Sequence, residues 1–307
     1  MDIEIVAEGL QFPEGPIAMA DGSVILVEIK RQTLTRVHPN GKTEVIAELG
    51  GGPNGAAIGP DGAVYVTNNG GFQWVTDSES GILAPFGIPD YYKSGQIQRV
   101  DLSSGKVTTV YDSCDGRPLR GPNDLVFDAH GGFWFTDLGK SGEEWVQHGH
   151  LLYARPDGSS ITRVLEDRTT PNGVGLSPNG RKLYVAETNT GRLWEYDVEA
   201  PGKLVPPAGP WPALSGRLHT GRGYYLFDSL AMEADGRICV ATILKGGITV
   251  FNTGDGTYEH IPVPDPITTN ICFGGDDMRT AWITGSGTGK LFKCRWPRPG
   301  LRLQHNA

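Results

Sequence analysis

The sequence predicts an all-β fold: a six-bladed β-propeller of four-stranded blades, closed by pairing of the N- and C-terminal strands. Three observations predict it: a composition rich in chain-breaking residues, six copies of one short pattern, and a spacing between copies that suits one blade. Of 307 residues, 44 are Gly and 22 are Pro, while hydrophobic residues make up 38%. That apolar content can fill a core, which a disordered chain cannot do. So many breakers argue against a helical bundle and for short strands joined by tight turns.

The six copies run in order along the chain. Pro13-Glu14-Gly15 leads to Asp21-Gly22, and Pro53-Asn54-Gly55 leads to Asp61-Gly62. Pro122-Asn123-Asp124 leads to His130-Gly131, and Pro171-Asn172-Gly173 leads to Asn179-Gly180. Phe227-Asp228-Ser229 leads to Asp235-Gly236, and Thr269-Asn270-Ile271 leads to Asp277-Met278. In each, a carboxylate or amide stands seven residues ahead of the turn. Asp-Gly and Asn-Gly between apolar runs are strong hairpin signals. The runs include Val24-Ile25-Leu26-Val27, Val64-Tyr65-Val66 and Phe133-Trp134-Phe135, which read as strands.

The six polar residues are separated by 40, 69, 49, 56 and 42 residues. A period of roughly 40–50 residues is that of a four-stranded propeller blade. Six such units fill residues 1–307 as a single domain. Pairing of Ile3 to Ala7 with Lys290 to Arg295 would then remove the open edge. Hairpin geometry returns the chain to the starting rim at Glu28, Asn68, Asp137, Glu187, Thr242 and Thr284, which forms a second polar ring.

If the first strand of each hairpin lines the channel, Glu14, Asn54, Asn123, Asn172, Asp228 and Asn270 converge at one mouth. Two of them are anionic and four carry amide oxygens. That set suits a hard divalent cation such as Ca²⁺, with water completing its shell. It suits Zn²⁺ less, because no His or Cys joins the ring. A glycine follows Glu14, Asn54 and Asn172. It reads either as room for a bound group or as backbone relief at a strand start.

The long gap between Asn54 and Asn123 holds Phe72, Trp74, Phe86, Tyr91 and Tyr92, with Gly70-Gly71 as a hinge. The insertion at about 69–95 reads as a lid over the mouth, or as an extended hairpin packed on the next blade. The segment 201–226 carries Trp211, Arg217, His219 and Arg222. It reads as a source of a cationic contact or as a plain connection. His219 reads as a base swinging over the mouth or as a surface loop residue.

Other classes are disfavoured. Net charge is −8, which leaves no basic surplus to neutralise nucleic-acid phosphates. No apolar run reaches the roughly 20 residues of a membrane helix. The opening Met1-Asp2-Ile3-Glu4-Ile5-Val6 lacks the basic and apolar regions of a signal peptide. Cys114, Cys239, Cys272 and Cys294 show no CxxC pair, as expected of core thiols in a reducing cytoplasm. No GxGxxG, GxxxxGK[ST] or GxSxG motif is placed to act.

At Phe12-Pro13-Glu14-Gly15-Pro16, Gly121-Pro122-Asn123-Asp124, Pro171-Asn172-Gly173-Val174 and Asp228-Ser229-Leu230-Ala231 the chain resembles the SMP-30/gluconolactonase/LRE-like family. The resemblance implies a six-bladed propeller with one divalent metal in its channel, and lactonase activity. It implies that Glu14, Asn172 and Asp228 bind the metal, with Asp228 also a general base and Asn123 at the metal or the substrate. Ca²⁺ is the first expectation, with Zn²⁺, Mn²⁺ and Mg²⁺ as alternatives. Two departures are visible. Ser229 stands where the family usually has Gly. Gly121 stands where some sugar-lactonase members have Arg, with Arg120 one step away.

The expected function is therefore metal-dependent hydrolysis of a lactone or related ester, a small-molecule substrate. Asn54, Asn123 and Arg120 are its expected substrate contacts. Two alternatives stay open: a phosphotriesterase-like calcium propeller with Asp228 as nucleophile, and a non-catalytic binding propeller around a structural calcium. An aromatic insertion and no matched Arg point to a less polar lactone or ester. Oligomeric state is not legible.

Overall fold

The computed structural model describes residues 1–206, 216–220, 223 and 225–305. Six antiparallel sheets stand around one axis. Their inner strands are Pro13–Ala18, Pro53–Ile58, Pro122–Phe127, Pro171–Leu176, Leu226–Met232 and Thr268–Gly274, one for each of blades 1 to 6. Each inner strand touches the inner strands of both neighbours, so the ring is closed. Ile3–Ala7 pairs with Lys290–Arg295, with Ile3 opposite Cys294, and completes blade 6. No helix is present among the described residues.

The second strand of each blade is covered on both faces, which is why it reads as a continuous apolar run. Val24–Glu28 is buried at every position. The apolar core is accordingly split into six clusters, one at each blade–blade interface. Phe133 and Phe135 of blade 3 pack with Tyr65 of blade 2, for example, and Trp282 of blade 6 with Leu26 of blade 1. The four cysteines are free thiols, three of them buried.

The hairpin turns follow one plan. In blade 1, Gly22 N–H donates to Met19 O and Met19 N–H to Ser23 O. Asp-Gly therefore ends a three-residue loop rather than centring a two-residue turn. The closing residue has positive φ at Gly22, Gly62, Gly131, Gly180 and Gly236, and at Met278 in the sixth copy. The Asp or Asn before it accepts from the backbone two residues on, as Asp21 does from Ser23 N–H at 2.9 Å.

The expected second polar ring has a different task. Its side chains are buried, and those of blades 1 to 4 clamp the loop that feeds the inner strand, while Thr242 and Thr284 bond within their own blades. Glu28 accepts from Gln11 N–H, Asn68 from Gly52 N–H, Asp137 from Arg120 and Gly121 N–H, and Glu187 from Thr169 N–H. A carboxylate or amide oxygen satisfies backbone donors that a loop ending in Pro cannot pair within a sheet.

Blade 4 departs from the plan. Its third strand, Arg192–Ala200, pairs with two short pieces, Lys203–Leu204 and Arg217–His219. His219 is thus a buried strand residue, neither a loop nor a mouth residue, and it bonds Glu195 at 3.0 Å. Lys182 pairs with the same carboxylate. Burial alone would raise Glu195, but these hydrogen bonds outweigh it and hold the group at about 2. The folded value lies below the unfolded one of about 4.3. The pair therefore adds stability above that pH, and the gain is lost as pH falls from about 4.3 toward 2. Screening at the half-open Lys182 end limits the gain to about 2 kcal/mol. Urea unfolding should show Glu195→Gln less stable than wild type at pH 6, with the gap roughly halved at pH 3 and closing below pH 2. A constant gap would refute the linkage.

Candidate active site

Every inner strand carries a register break at its polar residue. In blade 1 pairing is regular at Pro13–Glu28 and Glu14–Val27 and resumes at Ile17–Ile25. Breaks at the same place occur in blades 2 to 5, at Pro53/Ala56, Pro122/Leu125, Pro171/Val174 and Phe227/Leu230. Such bulges turn a side chain away from the sheet's regular alternation. Here they serve the channel end: Glu14, Asn54, Asn123, Asn172 and Asp228 line one cavity of about 430 Å³.

Asn270, the sixth residue, does not line that cavity. Its amide Nδ2 donates to Glu14 Oε2 at 2.7 Å, and its Oδ1 accepts from Ile271 N–H at 2.8 Å. It braces Glu14 from below. Gly15 N–H also donates to Glu14 Oε2. Asn172 Nδ2 donates to Thr188 Oγ1 at 3.0 Å, and Ser229 N–H to Asp228 Oδ1 at 3.0 Å. The backbone carbonyls are tied as well: Thr67 of blade 2 donates to Asn123 O, and Thr136 of blade 3 to Asn172 O, each at 2.5 Å.

These bonds leave Glu14 Oε1, Asn123 Oδ1 and Asn172 Oδ1 buried with no hydrogen-bond donor among the described residues. Burial raises Glu14 well above the usual carboxylate range, and the neighbouring Asp228 charge adds to it. Asp228 is pushed up to about 7 by burial, with the charge of Asp124 adding to the shift against the Asn172 hydrogen bond. Buried acceptors without donors, among mutually repelling carboxylates, are costly unless a cation or its water answers them. An all-oxygen set of carboxylates and amide carbonyls fits a hard divalent cation. It is a poor match to the nitrogen and sulfur preference of zinc.

Two residues of this region escaped sequence reasoning. Asp124 lies fully inside the channel and accepts from Val174 N–H at 3.2 Å and from Leu125 N–H at 2.9 Å. Burial lifts it to about 7. Its signal was available: it occupies the place that Gly15, Gly55 and Gly173 hold in other copies. Lys140 lines the cavity and had no repeat counterpart to mark it. Its Nζ donates to Gly71 O at 3.0 Å and lies 4.8 and 4.7 Å from the Phe72 and Tyr92 ring centres. Burial lowers it to about 8. Arg120, in contrast, is exposed and stands outside the lining of the cavity.

The insertion forms a hairpin, Gln73–Thr76 with Leu83–Phe86. Leu83 N–H donates to Gly287 O of blade 6, and Trp74 packs on Phe12 at a tilt, with ring centres 5.1 Å apart. Phe72, Pro85 and Phe86 line the cavity. The hairpin thus crosses from blade 2 to blades 1 and 6 and walls the mouth. Gly70 and Gly71 do take positive φ, but Tyr92 and Tyr91 pack within 2.7 Å of where their Cβ atoms would stand. This is a packed corner, not a loose hinge. Trp211 and Arg222 fall outside the described residues.

Gly15 takes φ +53°, the backbone relief expected at a strand start, and the glycines beside the site have a further role. A Cβ on Gly15 would meet Ala56 N at 2.7 Å, and one on Gly55 would meet Asn123 O at 2.6 Å. They let neighbouring inner strands approach, which sets the width of the ring.

Fold and cavity together define a class: a six-bladed propeller whose axial mouth is floored by acidic and amide side chains. More narrowly, the chain belongs to the SMP-30/gluconolactonase/LRE-like family, whose profile matches residues 12–287. It is 28% identical over 264 residues to lactonase drp35 of Staphylococcus saprophyticus, covering 85% of this chain and 72% of that protein. Among solved structures, a gluconolactonase from Xanthomonas campestris aligns with a TM-score of 0.74 and 21% identity, over 96% of this chain and 89% of its own. The calcium-binding protein regucalcin from Agrobacterium tumefaciens aligns at 0.70 and 20%, over 96% and 95%. At these identities the solved structures bear on the fold.

Proposed function

We propose that this protein is a metal-dependent lactonase, opening a cyclic ester to a hydroxy acid with one divalent cation, Ca²⁺ first. One observation carries the reading: Glu14 Oε1, Asn123 Oδ1 and Asn172 Oδ1 are donor-less buried acceptors lining the cavity that Asp228 also lines. Relatives named lactonase and gluconolactonase support the bond type. Glu14, Asn172 and Asp228 would hold the cation, with Asn123 beside it. When bound, such a cation polarises a carbonyl oxygen and acidifies water.

The chain's own groups do the rest. Asp228, fixed by Ser229 N–H, takes a proton from the water that attacks the lactone carbonyl carbon. The ring C–O bond then breaks, and that proton goes to the departing alkoxide oxygen. Asn54 and Asn123 orient the ring through their amides. The hairpin at about 69–95 acts as a lid and keeps bulk water from the reacting atoms. Lys140 ties that lid to blade 3. Four free thiols favour a reducing, cytoplasmic setting.

The test is a panel of γ- and δ-lactones with chelator-stripped protein, then with Ca²⁺, Mn²⁺, Mg²⁺ or Zn²⁺ restored. Hydrolysis should vanish on stripping and return with the cation. Full activity in the stripped protein would overturn the mechanism. A silent panel alongside tight Ca²⁺ binding would favour a binding propeller.

A further inference from the structure

Leu244 breaks two rules at one position. It follows Leu226–Met232's partner strand, Ile238–Ile243, in the turn to Gly247–Phe251. Its φ is +68°, a left-handed conformation that a branched side chain adopts at a cost and that Asn or Gly adopts readily. The conformation is held from both sides. Leu244 N–H donates to Pro266 O at 2.6 Å, and Gly246 N–H donates to Thr242 O at 3.2 Å. The residue is also 59% exposed, where an apolar side chain gains little from folding. Folding alone would favour a polar residue here on both counts.

Leu244 nonetheless borders the candidate active site. So does Phe86 of the hairpin, which is 51% exposed. Behind them the cavity wall continues with Ile243, Ile267, Phe72 and Leu138. Among the described residues lining the cavity the one Lys or Arg, Lys140, is already engaged by Gly71 O and two aromatic faces. A polar floor below an apolar wall and two exposed apolar lips matches a molecule with a reactive polar ring and an apolar arm. Strain retained at a site edge is a pointer to function when the surrounding bonds over-determine it.

We propose that Leu244 and Phe86 form an apolar lip that binds an alkyl or aryl arm on the lactone ring, making them specificity-determining residues. This rests on the lactonase reading and narrows its substrates to ring esters with an apolar substituent, not polyhydroxylated ones. Covering the exposed part of the two side chains supplies binding energy that the fold does not use.

The experiment compares δ-valerolactone with its 6-pentyl homologue as substrates. Alongside, ligand-observed NMR measures affinity for the corresponding δ-lactams, whose ring amides resist hydrolysis. The wild type should prefer the pentyl compound in both readouts by about tenfold or more. Leu244→Asn, nearly isosteric and at ease at positive φ, should cut that preference about tenfold with an unchanged or higher melting temperature. Phe86→Ser should cut it similarly, and Leu244→Met should keep it. A preference that survives both polar variants overturns the lip, as does a wild type indifferent to the pentyl arm. If no lactone is opened but the lactam preference holds and Leu244→Asn removes it, the lip stands and the hydrolase reading falls.

Discussion

Asp228→Asn should remove turnover and raise the melting temperature of the metal-free protein in the same variant. Glu14, Asp124 and Asp228 are each 8% exposed or less, and their charges repel one another across the channel mouth. Each has lost hydration that a carboxylate ordinarily keeps, and none faces a Lys or Arg at salt-bridge distance among the described residues. Without a cation this cluster opposes folding. Asparagine keeps the shape and one carbonyl oxygen but removes a charge, so repulsion with Glu14 and Asp124 falls. The metal-free variant should gain about 1 kcal/mol. With cation present the order reverses. Binding to the native state alone stabilises the wild type by about 2.7 kcal/mol at a hundredfold excess over Kd, and the variant should lose most of that. Loss of the proton acceptor should lower kcat by about 10³-fold. Calorimetry with and without Ca²⁺, beside lactone kinetics, reads all three quantities. A variant destabilised without metal, and still shifted upward by Ca²⁺, would refute the assignment of Asp228.

The fold was legible because a propeller repeats itself. Each blade had to restate the strand, the polar residue and the Asp-Gly turn, so six weak local signals shared one register. The inner-strand starts and the Ile3–Ala7 closure follow from that register. Five of the six polar residues reach one cavity for the same reason. What stayed hidden were contacts between copies and features that only one copy has. Asn270 looks like its five counterparts, yet the blade 6–blade 1 junction turns it onto Glu14. Arg120 is adjacent in sequence to the site motif, but Asp137 holds its backbone while the side chain points to solvent. Lys140 becomes buried only because the insertion folds over it. The outer edge of blade 4 had no pattern to read, since two separate pieces share it.

Gly173→Ala should damage stability and catalysis together, although a methyl group is the whole change. Gly173 follows Asn172 on the inner strand of blade 4. An added Cβ would stand 2.7 Å from Asp228 O, 2.8 Å from Leu230 N and 2.8 Å from Ser229 Cα. All three are backbone atoms of blade 5, so no side-chain rotation relieves the clash. The two inner strands must part by a few tenths of an ångström or more, at a cost of about 2–3 kcal/mol. Asn172 and Asp228 ride on those strands, and displacements toward 1 Å near reacting groups cost about 10²-fold in rate. Turnover should therefore fall about a hundredfold and Ca²⁺ affinity by about tenfold. Gly180→Ala is the matched control. It lies in the outer turn of the same hairpin at φ +67°, with nothing within 4 Å of its would-be Cβ. Backbone strain should cost it about 1 kcal/mol, with kcat and Ca²⁺ affinity retained. Urea unfolding and lactone kinetics on the pair separate the two effects. If Gly173→Ala behaves like Gly180→Ala, the spacing between blades 4 and 5 does not set the geometry of the site.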